Sequence, residues 1–425
     1  MGSRRNFFKN LGGTIGTLAV VNAAFAREAE KMLNRVENLH PLEVASDEDF
    51  WQWVKNAYTE SPNIINLNNG GVSPQPKVVQ EAFEMYNRLC NEAPSYYMWR
   101  ILDKGRESLR QKLADLAGCS PEEIAINRNT TESLDTIIFG LNLNKGDEIV
   151  LSKYDYPNMM NAWKQRVKRD GIVLKFVDFA LPEEDTAAIV KKYKALFTPK
   201  TKIVHITHII NWTGQILPSK EIAAEAHKQG IEVIVDGAHS FAHLHYNISD
   251  LGADYFGTSL HKWLCAPFGT GMLYVKKEKI SNLWPTCPND DPTSDDIRKF
   301  EHLGTRSFPT EQAIGHAINF HNLIGSKRKE ERLRYLKDYW LDKVKDLPNV
   351  KVYTSQKPEF ACALANIGIE GKVANEIERH LFNKHQIHTV SIKWEGVNGV
   401  RITPHVYTAT SELDRLVRGL KELLS

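Results

Sequence analysis

"GTSLHKWLCAPFGTG", residues 257–271, places Lys262 between a histidine and a tryptophan at the end of an apolar run, with a glycine-rich turn behind it. A free ammonium is costly to bury, so a lysine at such a point needs a chemical reason to be there. The flanking segments "IEVIVDGAH" (231–239), "ADYFGTSL" (253–260) and "TGMLYVK" (270–276) read as short β-branched strands. Working outward, "DEIVLSKYD" (147–155), "VLKFVDF" (173–179) and "KIVHITHII" (202–210) have the same character. Amphipathic runs at 132–143, 157–171, 185–197 and 219–230 alternate with them, and Gly171 and Gly230 stand where a helix C-terminus needs a left-handed residue. Strands alternating with helices of this size specify an α/β fold, with a mostly parallel sheet and helices on both faces.

The remaining chain divides around this domain. A charged amphipathic segment from about Glu311 to Val344 leads to a smaller α/β unit, built from "VKVYTS", "ALANIGIE", a helix over 373–385, "VRITPHV" and a terminal helix from Ser411. The expected organisation is a leader over 1–26, an N-terminal segment over 27–60, and a large domain over 61–315. A linking helix and small C-terminal domain follow over 316–425. Basic and acidic residues nearly balance, 54 against 52, without a long single-sign run, which disfavours a nucleic-acid partner. No uninterrupted apolar run reaches the roughly 18–20 residues of a membrane span, so stable membrane insertion is not expected. The five cysteines are scattered and show neither zinc-site spacing nor a disulfide framework.

Ligands of open α/β sheets gather at the carboxyl ends of the strands. Asp236 closes one strand, Asn211 follows another, and Lys262 follows the strand that ends near Ser259. Thr130 and Thr131 stand at the mouth of a helix, a phosphate-binding arrangement without a Walker lysine or a G-x-G-x-x-G turn. Taken singly, each of these residues has an ordinary structural use as a cap, a turn residue or a snorkelling lysine. Together they fit pyridoxal 5′-phosphate, which needs a lysine for an imine, a carboxylate for its pyridine nitrogen and a phosphate cradle. As an imine, Lys262 is no longer a free ammonium, which removes the objection to its burial.

The stretch "VDGAHSFAHLHYNISDLGADYFGTSLHKWLCAPFGTGMLYV" resembles the cofactor core of class V aminotransferases, within the fold-type I enzymes that use pyridoxal phosphate. The "HKWL-AP-GTG" pattern is most similar to the isopenicillin N epimerase-like branch. The resemblance implies that Lys262 holds the cofactor as an imine and that Asp236 pairs with the pyridine nitrogen. It further implies that Asn211 and His239 address the phenolic oxygen, that Thr130, Thr131, Ser259 and His261 hold the phosphate, and that Tyr156 in "DYPN" stacks on the ring. Thr305 matches a residue that reaches the phosphate of a neighbouring subunit, which implies a homodimer. Arg401 in "NGVRITPHV" matches the arginine that clamps a substrate α-carboxylate, a task suited to guanidinium.

The expected activity is amino-acid processing at Cα, foremost transamination with a keto acid as the possible second substrate, and epimerisation as the alternative. Transamination needs one base, whereas epimerisation needs proton delivery on both faces and no second base stands out. Cysteine desulfurases of this class carry a mobile cysteine shortly before the clamping arginine. Here that stretch is "HQIHTVSIKWEGVNGVR", with Ser391 and no cysteine, which counts against C–S cleavage by persulfide transfer. A non-catalytic cofactor-binding protein would not need Arg401. Finally, Arg4 and Arg5 precede a mildly apolar run that ends in Ala24-Phe25-Ala26, the layout of a twin-arginine signal with an A-x-A cleavage site. The expectation is export, to the periplasm in a bacterium.

Overall fold

The computed structural model describes residues 23–424, so the arginine pair and the run that follows it lie outside the described residues. Seven strands form the central sheet: β1 (Ile124–Asn127), β2 (Glu148–Ser152), β3 (Val173–Val177), β4 (Thr201–Thr207), β5 (Glu232–Asp236), β6 (Tyr255–Ser259) and β7 (Gly271–Val275). Their order is β1-β7-β6-β5-β4-β2-β3, with β7 antiparallel to both its neighbours and the remaining pairs parallel. Period-two alternation sends successive side chains of β5 to opposite cores, Val233 and Val235 to one and Ile234 to the other. A sheet covered on both faces reads as continuous apolar sequence, and β1, β6 and β7 are buried at every residue.

The longer helices are α1 (Ala23–Val36), α2 (Glu48–Asn56), α3 (Lys77–Glu92), α4 (Arg106–Ala117), α5 (Thr130–Gly140), α6 (Pro157–Asp170), α7 (Thr186–Lys194), α8 (Ser219–His227), α9 (Phe308–Ile324), α10 (Ser326–Leu341), α11 (Ala374–His385) and α12 (Thr410–Glu422). Apolar residues of α5 and α6 fill one side of the sheet, and those of α3, α4, α7, α8 and α9 fill the other. Gly171 ends α6 in the left-handed region, φ 74, as the sequence predicts. A second, antiparallel sheet has the order β10-β11-β9-β8, from β8 (Val350–Val352), β9 (Ala365–Ile369), β10 (Val390–Trp394) and β11 (Val397–Ile402). Leu336, Trp340, Ile377, Leu381, Leu413 and Leu416 of α10, α11 and α12 pack into its core.

Three features depart from the sequence reading. Strands β1 and β10 were not anticipated, and the charged segment from Glu311 is not one helix but two. Gly325, with φ 91, separates α9 from α10. The chain also crosses between units early. Ile65 and Asn66 pair in parallel with Ile387 and His388, Asn68 bridges to Thr403, and Leu67 is part of the C-terminal core. This crossing carries residues 68–70 to the ends of the central strands.

Candidate active site

The carboxyl ends of β4, β5 and β6 deliver the site residues. Asp236 is the last residue of β5, buried, with Oδ1 accepting a hydrogen bond from Ala238 N at 2.9 Å. Burial raises its pKa from the usual aspartate value, against the pull of the Ala238 N–H and of the Lys262 charge. Lys262 Nζ lies 3.4 Å from His239 Nε2. Burial pushes this lysine down to about 8, with Arg401 adding to the shift and Asp236 opposing it. His239 is held far below the usual imidazole range by burial and by the Lys262 and Arg401 charges, so it is neutral.

The second half of the site is a cradle at the N-terminus of α5. Thr130 N donates to Ser259 Oγ at 2.9 Å, and the Thr130 and Ser259 hydroxyls are 2.7 Å apart. Thr131 follows on the first turn, where the helix dipole favours an anion. Gly271, opposite Ser259 in the β6–β7 ladder, permits this closeness, since a Cβ there would lie 2.5 Å from Asn129 N. His261 Nδ1 donates to Thr270 O at 3.0 Å, which leaves Nε2 for another partner; burial lowers its pKa too.

Arg401 on β11 is buried, and its hydrogen bonds go to uncharged oxygens: Nη1 to Asn211 O at 3.1 Å and Nη2 to Asn68 Oδ1 at 2.9 Å. No carboxylate among the described residues pairs with it, and burial pulls even this guanidinium down to about 10. Tyr156, the residue before α6, is 41% exposed and near enough for its charge state to influence Arg401. Thr305 stands apart. It is exposed in the turn after Ile297–Glu301, in an open cleft with Trp99, Arg106 and Arg298.

Several residues here escaped the sequence reading. Asn68 holds Arg401 and is itself held by His388 Nε2 at 3.2 Å, while Gly70 lies so near that a Cβ would be 3.4 Å from His239 and 3.5 Å from Arg401. Asp155, beside Tyr156 in "DYPN", is fully buried and accepts from Thr207 Oγ1 at 2.7 Å and Ser152 N at 3.0 Å. Burial raises its carboxyl to about 7, and the Asp236 charge adds to the effect. Behind Lys262, Trp263 stacks between His243 (3.8 Å) and His405 (5.5 Å), and Lys329 Nζ donates to Trp263 O. Cys265 is buried here at φ 59, accepting from Tyr58 O–H at 3.7 Å and lying 3.5 Å from His405 Nε2, so it is a packed thiol.

Residues 65–416 match the family described as "Aminotransferase class-V". The chain belongs to this family. It is 28% identical over 392 residues to the isopenicillin N epimerase of Streptomyces clavuligerus, covering 88% of this chain and 98% of that one. It is also 28% identical over 384 residues to a probable cysteine desulfurase of Halalkalibacterium halodurans, covering 84% and 93%. Among solved structures, the cystine C-S lyase C-DES in complex with cysteine persulfide superposes with a TM-score of 0.76 at 25% identity, covering 84% of this chain and 97% of that one. Escherichia coli cysteine desulfurase CsdA also gives 0.76, at 21% identity, covering 88% and 98%. Class-V aminotransferases are pyridoxal-phosphate-dependent enzymes of this α/β fold.

The class-V site of this chain fits that cofactor on its own observations. Buried polar atoms point into it without a partner, namely Asn211 Oδ1, His239 Nδ1 and Arg401 Nε. A buried carboxylate with a raised pKa suits a pyridinium, and a buried guanidinium without a carboxylate suits an incoming acid.

Proposed function

We propose that this chain is a pyridoxal-phosphate-dependent aminotransferase acting at the Cα of an amino acid. The observation that carries the reading is the pairing of Lys262, a lysine depressed to about 8, with Arg401, a buried cation that lacks a carboxylate. When bound, the cofactor draws electrons from Cα and makes its proton acidic. Lys262 Nζ is the base for that proton, and His239, 3.4 Å away and neutral, takes no charge from it. Asp236 holds the pyridine nitrogen protonated, while Asn211 and His239 address the phenolic oxygen. Thr130, Thr131, Ser259 and His261 hold the phosphate, Tyr156 covers the ring, and Arg401 fixes the substrate carboxylate.

Epimerisation is the second reading, favoured by the match to nearly the full length of the Streptomyces enzyme. Desulfuration is disfavoured by the hairpin before Arg401. There β10 and β11 are joined by a tight turn at Glu395 (φ 43) and Gly396 (φ 82) with no thiol. Incubating the holoenzyme with amino acids, with and without a keto-acid acceptor, separates the readings. An aminotransferase yields product in proportion to acceptor, and an epimerase inverts Cα without one. Asp236→Asn should lower turnover by roughly 10²–10⁴ while folding is kept; near-full activity would overturn the site assignment. We also propose export through the Arg4-Arg5 leader, tested by whether the protein outside the cytoplasm begins near Arg27.

A further inference from the structure

We infer that His380, His385 and Glu422 form a binding site for a borderline transition-metal cation such as Zn²⁺, which clasps the C-terminal helix α12 to α11. The site lies on the C-terminal unit, on elements that supply none of the cofactor residues. One ligand atom from each side chain falls within 4.8 Å of the others. Glu422 Oε2 is 2.9 Å from His385 Nε2 and 3.4 Å from His380 Nε2. Tetrahedral zinc bound to imidazole and carboxylate at about 2.0–2.1 Å sets its ligands roughly 3.3 Å apart, close to the two separations from Glu422. Imidazole with one carboxylate is a donor set for Zn²⁺, Cu²⁺ or Ni²⁺ rather than Ca²⁺ or Mg²⁺.

Two further observations show that the cluster is constructed. His380 Nε2 is buried beside Glu422 and makes no well-formed hydrogen bond, its contact with Glu422 Oε2 lying at 3.4 Å. Gly419 interrupts α12, where glycine weakens a helix, and a Cβ at that position would lie 2.8 Å from His385 Cδ2. The glycine therefore admits the His385 ring against the backbone of α12. His385 and Glu422 are the last residues of their helices, where the helix dipoles favour a cation. Three protein ligands leave a fourth position for water, because Glu422 is on the surface.

Zinc chloride titrated into the full-chain holoenzyme by calorimetry tests the site. The wild type should bind an equivalent of Zn²⁺ that His385→Ala and Glu422→Gln bind at least 10-fold more weakly, since even the loss of an outer partner costs 10–100-fold. Gly419→Ala should weaken binding by displacing His385 although it removes no ligand. Zn²⁺ should raise the Tm of the wild type and slow proteolysis within α12, and should do neither in His380→Gln. Equal Zn²⁺ affinity across wild type and variants would overturn the site. Site-dependent binding that leaves proteolysis of α12 unchanged would overturn the clasp.

Discussion

Lys262 and Arg401 are shifted in one direction by one leading cause, the loss of water around a cation, and the Arg401 charge adds to the shift of Lys262. A buried lysine held down to about 8 keeps more of its amine neutral, and so nucleophilic, than an ordinary lysine does. The sign for cofactor capture follows. In cofactor-stripped protein the neutral amine dominates above about pH 8, so the rate of pyridoxal phosphate recapture should rise through that pH and level off above it. Arg401→Met removes a positive neighbour and should move the midpoint upward; a midpoint above 10 in the wild type would sink the assignment. Stopped-flow absorbance at a series of pH values measures it. At this scale the sequence was informative wherever chemistry restricts the residue type. Under the proposed roles, a cofactor lysine, a pyridine carboxylate and a carboxylate clamp admit few substitutes, so Lys262, Asp236 and Arg401 could be singled out from their local strings. Asn68, His388 and Asp155 were not, because asparagine, histidine and aspartate are ordinary loop residues until the fold sets them against Arg401 and Thr207.

Elements were legible where the periodic run was long and bounded, as in α6 with its proline start and Gly171 end. The four-residue β1 is too short to show a period, and what fixes it is tertiary. Glu301 accepts from Ile126 N of β1 at 2.7 Å and takes both ends of the Arg110 guanidinium, at 2.6 and 3.0 Å, while Arg106 reaches it at 3.0 Å. Arg110 also donates to Ile124 O. This knot joins β1, α4 and the turn Ile297–Glu301 that carries the chain to Thr305, and both Arg110 and Glu301 are buried. Removing one member leaves charges buried without compensation. Glu301→Ala should therefore lower unfolding free energy by about 3–5 kcal/mol, read from denaturant midpoints. A loss under about 1 kcal/mol, the value of a surface pair, would mean that the knot is solvated.

The whole molecule poses the question of what Thr305 is for. It is exposed and shares its cleft with Trp99, itself 52% exposed on the π-helical turn Tyr97–Leu102. A two-fold dimer would bring the same patch of each subunit to its partner. The family resemblance implies a dimer in which Thr305 contacts the phosphate across the interface; we propose that arrangement, and it can be tested without an image of the assembly. Thr305→Glu sets a carboxylate against the phosphate of the opposite subunit and should abolish both sites of its own dimer. Lys262→Ala abolishes both sites of its dimer as well. In a mixed dimer one site takes both defects, and the other combines an intact Lys262 with an intact Thr305. Unfolding and refolding the two inactive variants together should restore activity to about a quarter of wild type, because half of the dimers are mixed and each carries one sound site. If Thr305 served its own chain, every site in the mixture would keep one defect and no activity would return.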